Sequence, residues 1–81
     1  MKSPDLTYSI GDASRITGVS QRQLRNWEGR FIPVPQKDRC GDIAYRRYSI
    51  SDIALISRIR DYLDEGFTLQ AASKKAANEL K

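Results

Sequence analysis

The sequence has no histidine and a single cysteine, Cys40, among its 81 residues. Without imidazole the chain lacks the commonest general base and the usual nitrogen ligand for zinc, and a lone thiol makes neither an internal disulfide nor a closed soft-metal site. No metal and no cofactor are expected, and Cys40 reads as incidental. No apolar run approaches the roughly 20 residues of a bilayer span, and Met1-Lys2-Ser3-Pro4-Asp5 lacks the apolar stretch of a secretory signal. The expectation is a cytoplasmic protein without a membrane partner. Paired carboxylates and an activated nucleophile are missing as well, since Asp61, Asp64 and Glu65 fall on a solvated helix end, so the chain is not expected to be an enzyme. Internal repeats, low-complexity tracts and a glycine-rich phosphate loop are also absent.

What remains is one small domain with an uneven charge. Hydrophobic residues make up 40% of the chain and seven are aromatic (one Trp, four Tyr, two Phe), enough apolar surface for a folded core. Residues 1–48 carry nine basic side chains against five acidic ones, whereas 49–81 carry five of each, so the whole formal charge of +4 sits in the first part. A basic half joined to a neutral half suggests a polyanion partner for the former and a packing role for the latter.

The chain divides into a flexible lead-in over 1–7 and a folded unit over 8–81. Ser9 can cap a short helix in which Ile10, Ala13 and Ile16 recur at helical spacing, with Gly18 just past its end. Ser20 followed by Gln23 has capping-box spacing and predicts a second helix from Gln21 to Glu28 or Gly29, so two short helices meet at a tight glycine-containing turn, the sequence form of a helix-turn-helix. On the second helix Leu24 and Trp27 lie within about 60° of each other, while Arg22 and Asn26 point the opposite way with Arg25 beside them. One face packs and the other is free.

From Phe31 to Tyr48 the pattern predicts a short two-stranded hairpin with its tip between Lys37 and Asp42, Pro33 and Pro35 permitting only an edge strand on that side. Five basic residues against two acidic ones between Arg30 and Tyr48 make it a positive projection. Ser49 with Asp52 caps a third helix whose stripe of Ile53, Ile56, Ile59 and Leu63 is broadened by Leu55 and Tyr62. Gly66 ends it, and Thr68 caps a fourth helix with Leu69, Ala72, Ala76 and Leu80 on one face.

Tyr8-Ser9-Ile10-Gly11-Asp12-Ala13, Thr17-Gly18-Val19-Ser20, Leu24-Arg25-Asn26-Trp27-Glu28, Tyr45-Arg46-Arg47-Tyr48-Ser49 and Gly66-Phe67-Thr68-Leu69, in this order, resemble the N-terminal DNA-binding domain of MerR-type transcriptional regulators from about Tyr8 to Leu80. Many members have two tyrosines where this chain has Asn26 and Trp27. The run Trp27-Glu28-Gly29-Arg30 is closer to the branch of light- or cobalamin-responsive repressors and curli-type regulators. The resemblance implies a mainly α, winged helix-turn-helix of about four helices and a short two-stranded β wing. It places the second helix in the major groove of double-stranded DNA and the wing along the flanking backbone, and it implies a homodimer on an inverted repeat in the full-length context.

Residue types refine this. Arginine suits guanine edges or phosphates and asparagine an adenine edge, so Arg22 and Asn26 are assigned to bases and Arg25 to phosphate. Lys37, Arg39, Arg46 and Arg47 supply wing charge to phosphates, with Arg46 foremost. One of the wing tyrosines, Tyr45, can reach a phosphate, whereas Tyr48 reads as core, and so does Trp27. Arg15 on the first helix can touch the backbone, and Ser20 with Gln21 at the start of the second can hold a phosphate. Glu28 is positioned to pair with a wing arginine. Two other functions stay open: an architectural or excisionase-like DNA factor, and a winged-helix module that binds protein instead of DNA.

Overall fold

The computed structural model describes residues 7–80, excluding the side chains at 38–40, 43 and 44. Its elements are β1 (Thr7–Tyr8), α1 (Ile10–Thr17), α2 (Gln21–Trp27), β2 (Gln36–Cys40), β3 (Ile43–Ser49), α3 (Ile50–Asp64) and α4 (Leu69–Glu79). The expected mainly α, winged helix-turn-helix is present. One strand is added to it: β1 pairs antiparallel with β3 through Thr7 with Ser49 and Tyr8 with Tyr48, so the sheet has three strands in the order β1-β3-β2. Thr7 therefore belongs to the sheet, and residues 1–6 of the expected lead-in lie outside the described part.

Each helix starts where a hydroxyl can take a free backbone amide. Ser9 accepts from Asp12 N at 3.1 Å, Ser20 from Gln23 N at 3.1 Å and Thr68 from Ala71 N at 3.2 Å. Ser49 and Asp52 form the full reciprocal box, with Asp52 N donating to Ser49 Oγ at 3.1 Å and Ser49 N to Asp52 Oδ2 at 3.0 Å. α1 ends at Gly18 in the left-handed conformation (φ 78°), where its amide donates to Ser14 O at 2.9 Å. A β-carbon there would lie 2.8 Å from Arg60 Nη1, because the Arg60 guanidinium of α3 donates to the Gly18 carbonyl and fastens the turn. β2 and β3 are joined by Gly41-Asp42, Cys40 pairing with Ile43, and Gly41 at φ 64° gives the first central position of such a tight hairpin the sign it needs. β2 is an edge strand beginning after Pro35, so neither proline has to donate to the ladder.

The core gathers Ala13, Val19, Leu24, Trp27, Ile32, Tyr48, Ile56, Ile59, Tyr62, Ala72 and Ala76, with one or more residues from every helix and from β3. Two expected core positions are corrected. Ile16 is 51% exposed and Leu80 46%, and the buried side chain at the end of α1 is instead Thr17, whose hydroxyl donates to Ala13 O at 2.7 Å and so carries its polar group inside without a loss. The small alanines of α4 let it lie close on α3, and Glu79 near its end accepts from Arg58 Nε at 3.1 Å and from the Tyr62 hydroxyl. No helix in the described residues is long and apolar enough to cross a membrane.

Candidate nucleic-acid interface

α2 turns Leu24 and Trp27 inward and leaves Gln21, Arg22, Arg25 and Asn26 exposed, as the helical spacing predicts. Arg22 and Asn26 stand four residues apart and so lie one above the other on the outer face, with Arg25 beside them. Gln21 lies within 3.5 Å of Arg25 Nη2, and Ser20 is occupied as the helix cap. Among the described residues Arg22, Arg25, Arg30 and Lys37 are in no ion pair, so their charge faces water uncompensated. Arg15 is exposed but bridged to Asp12 at 2.7 Å, an exposed pair of small energetic weight that another anion can displace.

The wing attaches to α2 through alternation along β3. Arg46 and Tyr48 share one face of the strand, Tyr45 and Arg47 the other. Arg46 donates from Nε to Glu28 Oε1, and the Tyr48 hydroxyl donates to the same oxygen at 3.0 Å. Tyr48 is fully buried and Tyr45 half exposed, which assigns the former to the core and leaves the latter available. Arg47 donates from Nε to Thr7 Oγ1 at 3.0 Å, so β1 steadies a wing cation from the other side. Lys37, opposite Arg46 in the ladder, is exposed, and the Arg39 side chain lies outside the described residues.

Spacing alone does not reveal two contributors. Arg60 reaches the helix-turn-helix turn from 42 residues away, and the sequence signals only its local partner Asp64, at 3.2 Å. Thr7 holds Arg47 across 40 residues and sits in what reads as lead-in.

Burial raises the Tyr48 phenol above its ordinary 10.0, and the hydrogen bond to Glu28 raises it further. The Arg46 guanidinium is pushed above its ordinary value by the hydrogen bond to the same carboxylate, against the smaller opposing effect of desolvation. The fold thus binds the neutral phenol. Because the folded value lies above the unfolded one, this stabilisation is complete below pH 10.0 and is lost as the pH rises beyond it. Base titration should release a step of phenolate absorbance together with unfolding. Tyr48→Phe should lack that step, and a Tyr48 that ionises within the intact fold would contradict the assignment.

Residues 8–79 match the family described as MerR HTH family regulatory protein. Over 69 residues the chain is 32% identical to the HTH-type transcriptional repressor CarH of Myxococcus xanthus, covering 84% of this chain and 22% of that protein. Over 58 residues it is 36% identical to the HTH-type transcriptional regulator TnrA of Bacillus subtilis (strain 168), covering 72% of this chain and 50% of the other. The chain therefore corresponds to between about a fifth and a half of these relatives.

Proposed function

This chain belongs to the MerR family of HTH regulatory proteins, and from that premise we propose that it binds double-stranded DNA in a sequence-specific manner to regulate transcription. α2 enters the major groove, Arg22 and Asn26 read base edges, and Arg25 and the wing cations Lys37, Arg39, Arg46 and Arg47 contact phosphates, with Tyr45, Arg15, Ser20 and Gln21 on the flanking backbone. The observation that carries the reading is the outer face of α2, where two arginines and an asparagine are exposed and form no ion pair among the described residues, beside a wing bonded to the helix through Glu28. Positive charge that no described acid neutralises supports a polyanion as the partner, because a surface built for its own stability would place acids among these arginines. The full-length protein binds as a homodimer on an inverted repeat, in the cytoplasm.

Two substitutions separate base reading from backbone contact. Arg22→Ala should relax the preference at one base position and cost about 1–3 kcal/mol on the matched site. Lys37→Ala should weaken matched and mismatched duplexes alike and lower the salt slope by about 1. Lys37 is a cleaner probe than Arg46, whose removal also strips Glu28 of a partner. Competition titrations on matched and single-mismatch duplexes give both readouts. Equal loss of specificity in the two variants would overturn the assignment, and absence of binding to any duplex in a selection from random sequence would overturn the function.

A further inference from the structure

Glu28 closes α2 on one side and receives the wing on the other. Its side chain is only 12% exposed, and a single oxygen, Oε1, accepts from Arg46 Nε and from the Tyr48 hydroxyl at 3.0 Å. The two donors sit two residues apart on one face of β3, and they come to the carboxylate from 18 and 20 residues away. The backbone around it is tied down: the amides of Arg30, Phe31 and Ile32 donate to Trp27 O at 3.0, 3.0 and 3.2 Å, and Gly29 N donates to Ile32 O at 2.8 Å. A carboxylate so held has little freedom to follow its partners, so the partners must come to it.

Resting on the DNA-binding reading above, we infer that Glu28 is a positioning residue for duplex binding. It fixes the distance and angle between α2 and the wing, and it orients Arg46 by its Nε so that the two Nη groups are presented to a phosphate. Those Nη groups have no hydrogen bond among the described residues. Three observations agree with this. The guanidinium is planar, so fixing Nε fixes the direction of the other donors, which a lysine at position 46 could not reproduce. Tyr48 is fully buried and cannot shift with the wing without opening the core, so the second bond on Oε1 keeps the first in register. The pair is mostly shielded from water, so it is weakened little by salt that screens exposed charges.

The test is a double-mutant cycle on a duplex selected from a random pool by the wild-type chain, at a temperature where circular dichroism shows every variant folded. Glu28→Ala should weaken binding on the order of tenfold. In the Arg46→Ala background the same change should cost much less, because the cation that Glu28 orients has gone and only its bond to Tyr48 remains to be lost. Glu28→Gln, which keeps an oxygen acceptor for both donors, should recover part of the loss, and if Glu28→Ala does not fold it carries the cycle in its place. Additive losses, full affinity in Glu28→Ala, or no recovery in Glu28→Gln would overturn the inference while leaving DNA binding in place. A wild-type chain that retains no duplex in the selection would overturn the DNA-binding reading and this inference together.

Discussion

Raising the salt concentration from about 50 to about 200 mM should weaken duplex binding by about four orders of magnitude for a two-subunit complex, and by about two for a single subunit. The estimate assumes that each subunit neutralises about four phosphates, which gives a log–log slope of about −7 for the pair, since every neutralised phosphate releases condensed counterions. Four is a modest demand on a chain that exposes Arg22, Arg25 and Lys37 with no ion pair among the described residues and adds Arg46 on the wing. Titrations by fluorescence anisotropy at four or more salt concentrations give the slope directly, and the slope also counts subunits on the site. Binding indifferent to salt would exclude a phosphate-dominated interface.

Trp27→Ala should cost about 3–5 kcal/mol, the range for deleting a large buried aromatic side chain. A domain of this size has a total stability on the order of 5–10 kcal/mol, so the variant should retain between about 0 and 7 kcal/mol and at the low end be about half unfolded at room temperature. Trp27 is 3% exposed and packs in one cluster with Leu24, Ile32, Tyr48 and Ile59. It follows the exposed arginines of α2 in sequence, so its loss removes the support from which they project. Because Trp27 is the only tryptophan, the comparison needs urea denaturation followed by circular dichroism instead of intrinsic fluorescence. Trp27→Phe, which keeps a ring in the site, should retain most of the stability. A cost below about 1 kcal/mol for the alanine variant would place the ring outside the core.

Much of this architecture is legible in the chain because it is local. Ser9, Ser20, Ser49 and Thr68 each act three residues ahead, so cap and helix start can be read together, and Gly18 and Gly41 stand where backbone with positive φ is required. The division of α2 into Leu24 and Trp27 inside with Arg22 and Asn26 outside follows from helical period alone. Contacts that span 40 residues, Thr7 with Arg47 and Arg60 with Gly18, leave no trace in periodicity. A two-residue strand such as Thr7–Tyr8 is too short for alternation to register. Ile16 misled because apolar residues on a short helix can exceed what its neighbours can cover, and Thr17, satisfied by its own helix, took the interior place. A wing arginine is legible as a partner for Glu28, whereas its identity as Arg46 and the sharing of Oε1 with Tyr48 depend on the register in which the strand meets the helix.

β3 passes into α3 with no intervening loop: Ser49 pairs with Thr7, and Ile50 already begins the helix that Ser49 caps. A single residue thus serves as ladder partner, cap and joint. A torque applied to α3 has no slack in which to dissipate before it reaches the root of the wing, so it loads the Glu28 bonds to Arg46 and Tyr48 directly.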